Sequence, residues 1–198
     1  MSIKTMSESK FDLRFGVIAT MILLAAMSRL IPHPPNFAPI GGMALFGAAY
    51  FTKRRCAFII PIAAMWISDL ILNYVIYGQY FEGFVWFYGG AFFTYAAFAL
   101  IVLTGMFTLK KVRTPNLIGS ALGASVIFFI VSNFGVWLSG MMYPRDLSGL
   151  IACYIAAIPF FGNTILGDMV YTAVMFSAFE LSVRRFHQLQ LQPIAVGD

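Results

Sequence analysis

The chain has 198 residues, 60% of them hydrophobic and only 11% charged, whereas an ordinary soluble domain carries roughly 25% charged residues. That balance excludes a soluble globular protein. High apolar content, aperiodic Gly and Pro and two cysteines also exclude a disordered tail, a collagen-like fibre and a disulfide-stapled domain. The net charge of +5 need not signal nucleic acid, because the placement of the basic residues along the chain accounts for it. The implied surroundings are a lipid bilayer.

A helix crossing the hydrocarbon needs about 20 mainly apolar residues, with its backbone satisfied internally. Continuous apolar runs, rather than alternation, predict six such helices, at about 15–31, 37–51, 56–77, 84–109, 117–138 and 160–183. The fold class is therefore all-α, with a membrane domain over 15–183 between an N-terminal segment (1–14) and a C-terminal tail (184–198). The first span has the basic lead of a secretory signal. No small-x-small cleavage site precedes Arg29 and Pro32, so its retention is expected.

The connections sort by charge. Lys4, Lys10 and Arg14, then Lys53, Arg54 and Arg55, then Lys110, Lys111 and Arg113, then Arg184 and Arg185 fall on one side, leaving only Arg29 and Arg145 on the other. By the positive-inside rule both termini are cytoplasmic. Glu8, Asp12, Glu180 and Asp198 belong to the inner side or its boundary. Asp69, Glu82, Asp146 and Asp168 belong to the outer half, which is thereby net acidic and leans toward a neutral or cationic ligand. Cys56 at the inner boundary and Cys153 near the outer one cannot pair within the chain.

The second span is short and rich in small residues (Gly41, Gly42, Ala44, Gly47, Ala48, Ala49), a pattern read either as tight packing or as the interrupted helix of a transporter site. Gly119-x-x-x-Gly123 reads as a close-packing motif. The apolar stretch 150–158 is too short to span before Pro159, so a short extra helix at the outer face is expected before the sixth span. The segment from Tyr143 to Pro159 is a candidate lid or a plain interfacial helix.

Counting about 1.5 Å per residue from the basic boundary puts Asp69, Asn133 and Asp168 some 20–24 Å up, level with Arg29 and Asn36. Helical spacing adds Trp66 and Asn73 to the Asp69 face, Phe129 and Trp137 to the Asn133 face, and Thr164 and Tyr171 to the Asp168 face. Polar and ionisable groups inside a span are costly unless paired or facing a wet cavity, so their convergence marks a binding site. The bland alternative pairs Arg29 with Asp69 or Asp168 and lets the asparagines cross-link helices. His33 reads as a loop histidine; a soft-metal site with Cys153, Met141 and Met142 is a lesser alternative. No H-E-x-x-H, G-x-S-x-G, C-x-x-C or phosphate-loop motif is present, so no catalytic residue, metal ligand or cofactor is assigned, and energy must come from an ion gradient or a partner.

The segments RLIPHPPNFAPIGGMALFGAAYF (29–51), PIAAMWISDLILN (61–73), SNFGVWL (132–138) and GLIACYIAAIPFFGNTILGDMVYT (149–172) resemble a family of bacterial transport-type proteins, itself similar to the substrate-binding S components of energy-coupling-factor (ECF) vitamin transporters. The resemblance covers most of 15–183. It implies a bacterial inner-membrane protein that captures a small micronutrient from outside and docks on a scaffold subunit driven by two ATPases. It adds Asn163 to the candidate substrate-binding set of Arg29, Asn36, Asp69, Asn73, Asn133, Trp137, Asp168 and Tyr171. One departure stands out. Ala19 is followed at i+4 by Leu23, where S components carry an Ala-x-x-x-Ala pair for docking, which leaves a solitary transporter open. Two further readings remain: a membrane-embedded enzyme using Asp69 and Asp168 as paired acids, and a structural or assembly subunit.

Overall fold

The computed structural model describes residues 3–76, 78–80 and 83–190, with side chains from 13 onward except at 80. Glu82 and Asp198, assigned above to opposite sides, lie outside the described residues, as do the side chains of Lys4, Glu8, Lys10 and Asp12. Among the described residues the chain is wholly helical. Its helices are α1 (Ile3–Met27), α2 (Ile40–Tyr50), α3 (Arg54–Ile71), α4 (Ala91–Thr108), α5 (Thr114–Ser139) and α6 (Leu147–Arg185). Five of them are long and apolar enough to cross a membrane; α2, with 11 residues, is not. Large apolar side chains such as Leu24, Ile59, Phe92, Phe107, Val174 and Leu181 stand exposed around the bundle, a surface that suits lipid and not water.

The shortest helix occupies the centre. α2 packs against every other helix, and Ile40 through Gly47 are all buried. Its sequence explains the position, because glycine and alanine let neighbouring backbones come close. A Cβ on Gly42 would lie 2.8 Å from Cβ of Tyr171 and 3.1 Å from the backbone N of Thr172 on α6. Farther along, Phe46 packs edge-on against Phe176 and Phe179, with centroids 5.4 and 5.5 Å away.

At one end of the bundle Arg14 on α1 lies over the Phe179 ring and donates to the Leu189 carbonyl at 2.6 Å, while the Tyr50 hydroxyl donates to Glu180 at 2.6 Å. The middle of α1, the end of α2, the end of α6 and the turn after it therefore meet there. α1 is part of the fold, with Ile18, Ile22 and Ala26 in the core. Cys56 and Cys153 are both free, as their separation required.

Two expectations need correction. The stretch 150–158 is not a separate helix. It is the first third of α6, which runs unbroken for 39 residues through Pro159. Proline removes a single backbone donor, and a helix braced by a neighbour tolerates that loss. The bracing comes from α5: the Tyr154 hydroxyl donates to the Ile130 carbonyl at 2.6 Å, and the Phe129 ring meets both Tyr154 and Phe161, on either side of the proline. No residue of this segment lines the cavity described below. Second, Gly119 and Gly123 meet no neighbour among the described residues; the close face of α5 is instead Ser120, Ala121, Ala124 and Ser125, with Gly135 against Phe93 farther along.

Two outcomes follow. Gly42→Val drives a branched side chain into backbone that cannot yield, and should cost about 1–3 kcal/mol, read as a lower midpoint of thermal unfolding in detergent. At the start of α6, Asp146 accepts from the Gly149 N–H at 2.7 Å and the Ser148 hydroxyl at 2.8 Å, and these bonds hold its carboxyl below the usual range. A lowered folded value means the charged cap is present at neutral pH and is lost as pH falls through the carboxylate range. Asp146→Ala should speed amide exchange at Gly149 at neutral pH, with the difference from wild type vanishing in acid.

Candidate functional site

α1 ends in a tight turn, Ser28–Leu30, that aims Arg29 into the bundle. Beyond it Pro32, Pro34 and Pro35 cannot continue a helix, having no N–H and a fixed φ. The chain reverses through a turn closed by the Phe37 N–H on the Pro34 carbonyl at 3.0 Å, with Asn36 in the left-handed region at φ 64°. Asparagine is among the few side-chain-bearing residues that accept this conformation readily. Asn163 of α6 donates to the Pro35 carbonyl at 2.9 Å and pins the turn in place.

Arg29 is held on α3. Its Nη1 lies 2.7 Å from Asp69 Oδ1 and donates to Ser68 Oγ at 2.5 Å, and Tyr95 of α4 donates to Asp69 Oδ2 at 2.7 Å. Both charges are nearly buried, at 13% and 5% side-chain exposure, so each depends on the other. The alternative partner for Arg29, Asp168, is engaged elsewhere. Its Oδ1 accepts from the Gly41 N–H at 2.8 Å, in the first turn of α2, and its Oδ2 accepts from Ser125 Oγ of α5 at 2.7 Å. A Cβ at position 41 would fall 2.5 Å from that carboxylate, so only glycine leaves room for the bond.

Between these two assemblies lies a cavity of about 220 Å³. Arg29, Asn36, Tyr88, Thr94, Thr164 and Asp168 form its polar wall with His33 beside them, and Ala38, Ile40, Met65, Leu72 and Phe128 complete the lining. The α1–α2 link, α2, α3, α4, α5 and α6 all contribute. Tyr88 also forms a wall of a larger, almost wholly apolar groove of about 770 Å³ between α3 and α4, which includes Ile59, Ile62 and Phe92.

Of the nine residues singled out from the sequence, Arg29, Asn36 and Asp168 line the cavity, and Asp69 stands directly behind Arg29. Asn163 and Tyr171 support it from outside, the latter through a 2.7 Å hydrogen bond between its hydroxyl and that of Ser28. The other three are elsewhere. Asn73 sits in the π-helical continuation of α3, lines a separate cavity of about 310 Å³ beside Leu70 and Phe84, and its Nδ2 has no partner among the described residues. Asn133 bonds to the Phe129 carbonyl on its own helix, and Trp137 donates to the Pro144 and Asp146 carbonyls at 3.1 Å, building the α5–α6 corner. His33 is at the cavity, its Nδ1 2.6 Å from the Ile31 carbonyl, while the Cys153 thiol donates to the Asn133 carbonyl.

Tyr88, Thr94, Tyr95, Ser68 and Ser125 were not singled out. Ser125 was within reach, since the row Phe129, Asn133, Trp137 extends one step back at i+4 to it. The α4 hydroxyls had no such signal, being uncharged and common in apolar helices.

An apolar exterior around this polar chamber defines an all-helical, multi-pass membrane protein. The chain belongs to a family described as a family of unknown function (DUF6580), whose model matches residues 9–189. No curated protein and no solved structure matches it.

Breaking a buried pair leaves an uncompensated charge, whereas replacing both partners by apolar groups removes the desolvation cost as well. Asp69→Ala should therefore destabilise by about 3–5 kcal/mol, and the double variant Arg29→Leu/Asp69→Leu should recover most of that loss, read by thermal unfolding in detergent.

Proposed function

We propose that the chain is an S-component-like substrate-binding transport protein that captures a small water-soluble micronutrient in the cavity between Arg29 and Asp168. The observation that carries this reading is the gathering of buried polar groups from nearly every helix around one open volume. Pairwise cross-links would satisfy a purely structural role and leave no chamber. The chamber lies toward the end of the bundle away from the Arg14–Leu189 contact. With the basic loops and both termini cytoplasmic in a bacterial inner membrane, that chamber faces outward. The chain has no phosphate loop of its own, so an ECF-type scaffold with two ATPases is the proposed energy source. A paired-acid enzyme is the weaker reading, since Asp69 and Asp168 each hold a separate set of donors and share none.

The test is ligand capture. The full chain in lipid nanodiscs is incubated with a bacterial metabolite extract, and the molecules it retains are identified by mass spectrometry. At least one small hydrophilic metabolite should be enriched over Thr94→Trp, a variant that fills the chamber from α4 and should keep its unfolding midpoint. Equal retention by both proteins, or none by either, would sink the proposal.

A further inference from the structure

We infer that the occupant of the chamber is a small organic cation whose protonated or quaternary nitrogen pairs with Asp168. The inference rests on the substrate-binding reading above and adds the chemical class of the ligand. It begins from an imbalance of charge. Arg29 is neutralised by Asp69, so that pair adds no net charge to the wall. Asp168 is 2% exposed and has no ion-pair partner among the described residues. Its two recorded donors, the Gly41 N–H and the Ser125 hydroxyl, are both neutral, while a carboxylate offers about four acceptor positions. The first turn of α2 contributes roughly half a positive charge at its N-terminus. When ionised, Asp168 therefore has only neutral donors and the α2 dipole to balance it, and it lines a chamber whose one guanidinium, Arg29, is already paired with Asp69.

A buried carboxylate in that condition is costly, and a cation in the chamber would remove the cost. The rest of the lining suits one. Tyr88 and Phe128 bring aromatic rings to the same volume, where a desolvated cation gains from their faces. Thr164, one turn before Asp168 on α6, and Asn36 add oxygens that accept from an ammonium. An anionic ligand would meet Asp168 directly, and the α2 N-terminus that would otherwise attract it is already capped by that carboxylate. The volume of about 220 Å³ falls below the roughly 300–1,000 Å³ of pockets for drug-sized molecules, which keeps the ligand small.

The experiment measures binding to the full chain in nanodiscs by isothermal calorimetry with two matched series. One is benzylammonium, benzyl alcohol and benzoate; the other is choline with its neutral and carboxylate carbon isosteres. The cation of each series should bind about tenfold or more tightly than its neutral partner, and Asp168→Asn should erase that preference. Should Asp168→Asn fail to fold, Thr164→Lys places a cation within reach of the carboxylate and should abolish binding of benzylammonium and choline while the protein stays folded. Tighter binding of the neutral or anionic members, or a cation preference that survives Asp168→Asn or Thr164→Lys, overturns the cation assignment and leaves the transport reading standing. If none of these probes binds the wild type, the cation assignment falls, and the metabolite-capture experiment separately decides whether the chamber binds a substrate.

Discussion

The carboxylate of Asp168 reaches across from α6 to the first turn of α2 because residue 41 has no side chain, and much of the molecule is arranged around that contact. A helix N-terminus has unpaired N–H groups and a partial positive charge, and burying one requires an acceptor. Here the acceptor comes from a different helix, and Ser125 of a third orients its second oxygen. One side chain thus ties α2, α5 and α6 together. The same glycine-rich turn brings α2 and α6 close enough that Gly42 lies against Tyr171, whose hydroxyl in turn reaches Ser28 at the end of α1.

Depth explains why this contact falls where it does. An 11-residue helix is about 16 Å long, roughly half the hydrocarbon thickness. Only Phe51 and Thr52 separate the end of α2 from the basic stretch Lys53, Arg54 and Arg55, so its C-terminus belongs at a membrane boundary and its N-terminus within the apolar layer. Non-helical backbone at such depth is tolerated only where it is buried in protein or lines a cavity. The proline-rich link from Ile31 to Pro39 meets that condition at its inner end, where Asn36 and Ala38 line the chamber and Pro39 is buried, with Asn163 holding the turn from α6.

The sequence carried the apolar helices, the central oddity of the second one and the ion-pairing potential of Arg29 and Asp69, because each depends on composition or on the cost of a charge in lipid. It did not carry the partner of Asp168. A backbone N–H has no signature in the sequence, so the choice of Asp69 over Asp168 for Arg29 could not be read in advance. The α6 helix was divided at Pro159 on a local rule, and contacts from Phe129 and Ile130 on α5 override that rule. Asn133 and Trp137 stand at helical spacing beside Phe129 yet serve the α5–α6 corner, since periodicity assigns a face and says nothing of what the face meets.

The two buried carboxylates are held in opposite ways, and that asymmetry is what separates scaffold from site. Asp69 has a full cationic partner and a tyrosine hydroxyl, so its charge is balanced within the protein and its removal should be felt as instability. Asp168 has only dipoles. Neutral donors can orient a carboxylate and lower its cost, but they cannot cancel its charge. Once ionised, a group in that state lines the open volume with no cation of the described residues paired to it. The closed pair and the open carboxylate stand at the same chamber, Arg29 and Asp168 lining it and Asp69 behind Arg29.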